Sequence, residues 1–307
     1  MMIEMGLVDG FLSAAVRIAT PLLLAALGEM LAERGGVINL GVEGAMLAGA
    51  LAAALGASAG GPWTGLAGSA AAGMLMATIF ALATIGARAD QIIAGTATTL
   101  LAVGVTGAVY QAAFGSAGAG LSLPTLAPMP VPGLRAVPLL GPAIFDQPVT
   151  TYFALLAVPI CWWFLFRTRT GLALRAVGES PEHARAAGIP ARRLQFAATV
   201  AGGIFAGLAG GTLVLAQVGT FAERMTAGRG FIAIAIVVLG RWHPVGVLGA
   251  ALLFGAATAL QFVFQSMGWP VPYQLFLMLP YLLTLLLLAG LVGGVKAPAS
   301  LGRAPEP

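Results

Sequence analysis

RTRTGLALRAVGESPEHARAAGIPARR, residues 167–193, is the one strongly charged stretch in a chain whose other long segments are apolar. It carries Arg167, Arg169, Arg175, Arg185, Arg192 and Arg193, six of the fifteen basic residues, together with Glu179, Glu182 and His183. Long apolar runs flank it on both sides, so it must lie in water between two crossings. Within it Ser180 suits a helix cap, Pro181 the first helical position, and Glu182 places a carboxylate in the positive first turn. Gly188 before Ile189-Pro190 suits the end, because glycine accepts a left-handed cap and proline cannot continue the helix. A short helix over 181–187, in a cytoplasmic loop, is expected.

Outward from that stretch, 59% of residues are hydrophobic and only 8% charged, with mean hydropathy +0.95. A soluble domain carries about one-quarter charged residues. The expectation is an all-α, polytopic transmembrane helical bundle forming a single domain over 1–307. Its 43 glycines allow helices to approach closely. The lone Cys161 gives no disulfide framework, and His183 and His243 alone give no metal cluster. The first ten residues, MMIEMGLVDG, lack the basic start of a cleaved signal, so the first apolar run is expected to stay as a span.

Nine candidate spans follow from length and hydropathy: 11–31, 37–57, 63–85, 92–114, 150–166, 194–218, 231–242, 245–266 and 271–292. The run 231–242 is about half a span, so eight to ten crossings are allowed, and a broken or re-entrant segment there would need shielding by protein. With 167–193 inside, alternation also puts Arg34, Arg88, Arg241, Lys296 and Arg303 inside. The N-terminus is then outside, and the tail 293–307 is cytoplasmic. Residues 115–148 form an external loop with seven prolines, stiff in composition, read either as a connector or as a surface for an external partner. Nothing in this charge pattern calls for a nucleic-acid partner.

Polar residues inside spans are the remaining candidates. Asn39 and Glu43, four apart, are expected to share a helix face near Glu29, Glu33 and Arg34. They read as a structural network, with Glu43 or Glu33 paired to an arginine, or as pathway lining. Thr96, Thr99, Gln111, Gln217 and Gln261 offer neutral amides and hydroxyls, which hold an uncharged, hydroxyl-bearing solute without trapping it. Phe114, Phe221, Phe262 and Phe264 are candidates for stacking on a ring. The threonines have the alternative of bonding their own helix carbonyls.

The segment Glu182 to Gly188 has the spacing E-x-A-x-x-x-G and resembles the loop by which permeases of ATP-binding cassette importers dock on their ATPases. Residues 31–50, LAERGGVINLGVEGAMLAGA, and 228–255, GRGFIAIAIVVLGRWHPVGVLGAALLFG, resemble permeases of the ribose and branched-chain amino acid type. The Arg34–Asn39 and Gly41–Gly44 block and the Gly240–Pro244 turn are most similar to the nucleoside branch. That resemblance implies a division of labour. An extracytoplasmic lipoprotein or periplasmic binding protein delivers a nucleoside, and two permeases, here of different chains, form the path in the bacterial cytoplasmic membrane lipid. Cytoplasmic ATPases hold ATP and Mg; this chain carries no cofactor, no catalytic residue and no phosphate-binding glycine loop. The coupling residues so implied are Glu179, Pro181, Glu182, Ala184, Arg185 and Gly188, with movement carried across the bilayer by the flanking spans.

Two alternatives stay open. The same importer type would carry a simple sugar such as ribose through a similar lining. An ion-driven secondary transporter would want an ionisable group near mid-membrane, whereas Glu29, Glu33, Asp90 and Glu223 stand at span ends.

Overall fold

Leucine- and alanine-rich sequence carries residues 2–34 through a single helix, α1 (Met2–Arg34), which stops where Gly35-Gly36 follow. Gly36 turns left-handed at φ 88°. The amides of Gly36 and Val37 then close onto the carbonyls of Glu33 and Ala32, at 2.9 and 3.1 Å, so the helix end is satisfied internally. The computed structural model describes residues 2–115, 122–134, 137, 140–266, 278, 282 and 296–303.

The further helices are α2 (Val42–Gly60), α3 (Pro62–Ala81) with a π-helical continuation Leu82–Gly86, and α4 (Gln91–Phe114), capped by Asp90. After a short antiparallel pair, β1 (Pro128–Pro130) with β2 (Asp146–Pro148), separated by α5 (Leu140–Phe145), comes α6 (Val149–Arg167). The charged stretch holds α7 (Arg169–Glu179) and α8 (Pro181–Ala186). The remainder is α9 (Ala191–Thr212) with a π segment Leu213–Val218, α10 (Arg229–Leu239) and α11 (Pro244–Ser266).

The bundle is built around α9. Of its apolar window 72% is buried, against 28% for α4 and 33% for α3, so α9 is interior and the other two are peripheral. Glycines make that position available: Gly202 packs on Gly28 of α1, Gly207 on Gly49 of α2 and on Gly73 of α3, and Gly210 on Met46 of α2. A Cβ on Gly207 would stand 2.9 Å from the Gly73 Cα, and one on Gly210 2.8 Å from the Ala50 nitrogen. Backbones at this separation need residues without side chains, the arrangement that binds helices together where lipid removes the hydrophobic difference between contacts.

Hydrogen bonds define the two ends. Gln195 Nε2 donates to the Gly35 carbonyl (2.9 Å), and Gln91 Oε1 accepts from the Ile38 amide (2.8 Å), so the starts of α9 and α4 lie at the end of α1. At the opposite end Gln147 Nε2 donates to Ser13 Oγ (3.0 Å), and Gln217 Nε2 to the Arg17 carbonyl (2.6 Å). The first end gathers Arg34, Arg88, the six arginines of 167–193, Arg241, Lys296 and Arg303, eleven of the fifteen basic residues.

Several expectations change. Among the described residues seven helices are long and apolar enough to cross a membrane. The half-length run is the eleven-residue α10, about 16 Å at 1.5 Å per residue, and the sequence span 271–292 lies outside the described residues. The second span begins at Val42 and not at 37, because Gly35, Gly36 and Gly41 interrupt the pattern. Asn39 therefore lies in an irregular link and does not share a helix face with Glu43. The charged stretch also contains α7, whose buried Gly171, Leu174, Val177 and Gly178 follow a helical period. Residues 115–148 include a two-stranded sheet, a small exception to an all-α chain.

Candidate functional site

At the arginine-rich end, α8 forms as its sequence dictates. Ser180 Oγ caps the His183 amide at 3.4 Å and lies 2.6 Å from His183 Nδ1, with Pro181 at the first helical position. Gly188 turns left-handed at φ 80°, and the amides of Gly188 and Ile189 close onto the carbonyls of Arg185 and Ala184, both at 2.9 Å. The predicted short helix is present and ends one residue earlier, at Ala186. Ala184 does not face outward: it is 4% exposed and packs on Val177 and Ala191, fastening α8 to its own chain. The outward surface is Glu182, His183, Ala186, Ala187 and Gly188, while Pro181 and Arg185 are half-buried and Glu179 is exposed. Glu179, Pro181, Glu182, Arg185, Arg192 and Gln195 share a groove beside it.

A second cluster fixes α10 at both ends. Glu43 accepts from Thr226 Oγ1 (2.6 Å), the Gly228 amide (2.9 Å) and the Gly230 amide (2.6 Å). Three donors thus meet one carboxylate at the N-terminus of α10, where the free amides and the helix dipole favour it. At the other end Glu33 Oε2 accepts from Trp242 Nε1 at 2.5 Å, and Arg34 Nε donates to the Trp242 carbonyl at 2.8 Å. Glu29 Oε1 receives the Asn39 amide (2.8 Å), and Asn39 Oδ1 the Gly41 amide (3.0 Å). Glu33 bonds the Trp242 indole and the Glu29 side chain, and Glu43 a hydroxyl and two backbone amides, where sequence suggested an arginine.

Arg241 and Trp242 follow α10 at φ 57° and 52°, and Arg224 and Ala227 precede it at 56° and 47°. Left-handed backbone on non-glycine residues costs about 1–3 kcal/mol each and persists only where surroundings enforce it. The Glu33 and Arg34 bonds do so for Trp242. Replacement of Trp242 by phenylalanine keeps the ring and deletes its donor to a buried carboxylate. The expected outcome is a loss of about 1–3 kcal/mol, read as a lowered unfolding midpoint of the purified protein. Beside this turn the His243 imidazole is pushed below its ordinary value, first by burial and then by Arg34, and its ring lies 5.2 Å from that of Phe166.

The pathway candidates are spread over several places. Thr96 Oγ1 donates to the carbonyls of Ile92 and Ile93, and Thr98 to Ala94, so these hydroxyls serve their own helix. Thr99 reaches the Leu40 carbonyl at 3.2 Å, across to the link before α2. Gln111 Nε2 donates to Glu223 Oε1 at 3.3 Å, joining α4 to the 219–228 segment. Gln217 is turned to the Arg17 carbonyl, and Gln261 is buried on α11. Phe221 is 2% exposed with its ring 5.1 Å from Tyr110, a core position and not a stacking surface. What α4 and the 219–228 segment do share is an exposed polar patch, Gln111, Glu223 and Arg224, while Thr96 stands about 22 Å away along α4, with the exposed apolar Leu100, Val105 and Val109 between.

Sequence reasoning missed the indole of Trp242 as the Glu33 partner, and the pairing of Gln91 and Gly178 with the segment 296–303. The tight Gly35-Gly36 and Gly178 spacings were the available signals, since each marks close backbone approach.

Seven helices long and apolar enough to cross a membrane, with a short capped helix at the arginine-rich end, describe a multi-pass membrane protein. Residues 11–288 match the family described as the branched-chain amino acid transport system permease component. The chain belongs to that family. It is 38% identical to the guanosine ABC transporter permease protein NupQ of Bacillus subtilis over 92% of both chains. It is 31% identical to the nucleoside ABC transporter permease protein NupC of Lactococcus lactis, again over 92% of both. It is 43% identical to the putative glucose ABC transporter permease protein TsgC13 of Haloferax volcanii, over 86% of this chain and 80% of that one. No solved structure matches the chain.

Proposed function

We propose that this chain is a membrane-spanning subunit of an ATP-driven nucleoside importer in a bacterial cytoplasmic membrane. The observation that carries the cargo is the likeness, over 92% of the chain, to both a guanosine and a nucleoside permease. Neutral side chains along α4 suit such a solute: hydroxyls and amides exchange hydrogen bonds with ribose and base without a fixed charge. The exposed patch of Gln111 with the charged Glu223 and Arg224 is poorly solvated by lipid and marks the edge of the half-wall that a second, different permease completes. The 43% likeness to a glucose permease favours a simple sugar as the second reading.

In this reading the end with eleven basic residues is cytoplasmic, which sets the N-terminus outside and the C-terminus inside. The segment 219–228 with α10 makes one broken crossing, and the 271–292 sequence span brings the count to nine. An extracytoplasmic binding protein delivers cargo on the side of residues 115–148. ATP and Mg sit on a partner ATPase, whose groove takes α8 through Glu182, His183, Ala186 and Ala187. Nucleotide binding there biases the inward and outward states by its different contacts with each.

The test is ATP hydrolysis by the chain purified with its neighbouring gene products and the binding protein, on addition of guanosine, adenosine, ribose or glucose. Nucleoside stimulation is the expected result. A response to sugar alone overturns the cargo, and the absence of any co-purifying ATPase returns the chain to the ion-driven class. Gly188→Ile serves as the coupling control: a β-branched residue at φ 80° costs about 1–3 kcal/mol and distorts α8. It is expected to lower cargo-stimulated hydrolysis about tenfold or to release the ATPase. Full transport with normal association would remove α8 from the mechanism.

A further inference from the structure

We infer that residues 296–303 and Gln91 form a strap that passes movement of α8 directly to α1 and α4, which makes Ser300 and Gln91 positioning residues for the ATP-coupled step. The inference rests on the coupling role given to α8 above. It adds a route separate from the flanking helices α6 and α9, and one made largely of backbone.

The route begins at Gly178, buried at the end of α7 and two residues before the Ser180 cap of α8. One side of Gly178 is pressed against α1: a Cβ there would stand 3.0 Å from the Arg34 carbonyl carbon and 3.4 Å from the Gly36 nitrogen. On its other side, the Gly178 carbonyl accepts both the amide (3.0 Å) and the hydroxyl (2.6 Å) of Ser300. The Gly302 amide donates to the Gly36 carbonyl at 3.3 Å. The Arg303 carbonyl accepts from Gln91 Nε2 at 3.0 Å, and Gln91 Oε1 holds the Ile38 amide at 2.8 Å.

Ser300 and Gln91 are 6% and 4% exposed, and Leu301 packs against the main core, so these bonds are sheltered from water. Gly178 is therefore enclosed between α1 and the strap, and a shift of α8 either pushes the end of α1 or pulls Ser300. Close-packed interiors transmit such displacements and do not absorb them. From the end of α1, Arg34 continues to the Trp242 carbonyl and thus to α10. From the strap, Gln91 continues along α4, which bears Gln111 of the polar patch. The half-wall on α4 and the clamped end of α10 are each reached in two contacts from Gly178.

The experiment compares, in the purified complex with its ATPase and binding protein, cargo transported per ATP hydrolysed. It uses Ser300→Pro, which removes the amide and the hydroxyl together, Gln91→Leu, and removal of residues 296–307. Each is expected to retain the ATPase and its basal hydrolysis, and to lower the transport-to-hydrolysis ratio about three- to thirtyfold. Ser300→Thr, which keeps both donors, restores the ratio, an effect that a purely structural defect would not show. A ratio within twofold of the unmodified chain in Ser300→Pro and Gln91→Leu, with the complex intact, overturns the strap and leaves the role of α8 standing. Loss of the ATPase from the unmodified chain defeats the role of α8 itself. If the truncated chain does not accumulate, the two point variants decide the matter.

Discussion

Gly210→Val is expected to remove the folded protein from the membrane. The Cβ alone would stand 2.8 Å from the Ala50 nitrogen and the Met46 carbonyl carbon, and both are backbone of α2, which cannot rotate aside as a side chain can. Relief requires α9 and α2 to separate, and α9 is also wedged against α1 through Gly202 and against α3 through Gly207, so a shift in one contact opens the others. Overpacking a core costs about 1–3 kcal/mol even where side chains absorb it. At a three-way backbone crossing the cost exceeds that range and approaches the whole stability of about 5–15 kcal/mol. The measurement is the yield of monodisperse protein after detergent extraction, with Gly104→Ala and Gly249→Ala as controls. Neither control glycine has a heavy atom within 4 Å of the added Cβ. Alanine there is expected to be neutral or to stabilise by about 0.4–1 kcal/mol, since it restricts the unfolded chain. If Gly210→Val extracts and unfolds like the controls, the close α2–α9 crossing is not what holds the bundle.

Glu43→Ala is the second large effect. It strips acceptors from the Thr226 hydroxyl and from the amides of Gly228 and Gly230, all in low-dielectric surroundings. Each bond to a charged acceptor is worth about 1.5–3 kcal/mol, and a buried donor left alone adds a penalty of its own. A cooperative loss of about 3–5 kcal/mol follows, the size expected when one partner of a buried charged network is removed. Glutamine is only a partial replacement: its amide presents two further donors to a site already filled with donors. The order Glu, then Gln, then Ala should appear both in the unfolding midpoint and in hydrogen exchange at residues 228–231. Equal behaviour of Gln and Ala would show that shape, not acceptor capacity, is what the site demands.

These two positions also mark how far sequence carries. The bundle was legible because apolar runs and glycine content are local and abundant, and α8 was legible because Ser180, Pro181 and Gly188 each act within a few residues of themselves. Family membership followed from blocks such as Arg34–Asn39, and residues 11–288 match the family. The partners of Glu43 and Glu33 were not legible, because they stand 183 to 187 and 209 positions away. Nothing local told an arginine partner from an indole or an amide. Asn39 was misplaced for a related reason. A four-residue spacing implies a shared face only inside a helix, and three nearby glycines leave 37–41 outside one. Ala184 is among the coupling residues the resemblance implies, yet its burial against Val177 and Ala191 depends on α7, an element whose helical period is hidden among its charges.

The clamping of α10 has a consequence for how the chain is made. Eleven residues are about half the length that lets an apolar segment partition into a bilayer unaided. Its polar neighbours Arg224, Arg229 and Arg241 oppose that partitioning further. The groups that hold it, Glu43 and the Glu33–Arg34 pair, leave the ribosome nearly two hundred residues earlier. α10, in the late half of the protein, is therefore held by side chains of α1 and α2 that are made well before it. A chain synthesised in the reverse order of halves, as in a circular permutant opened between residues 115 and 148, would present this segment to the membrane before its hosts existed.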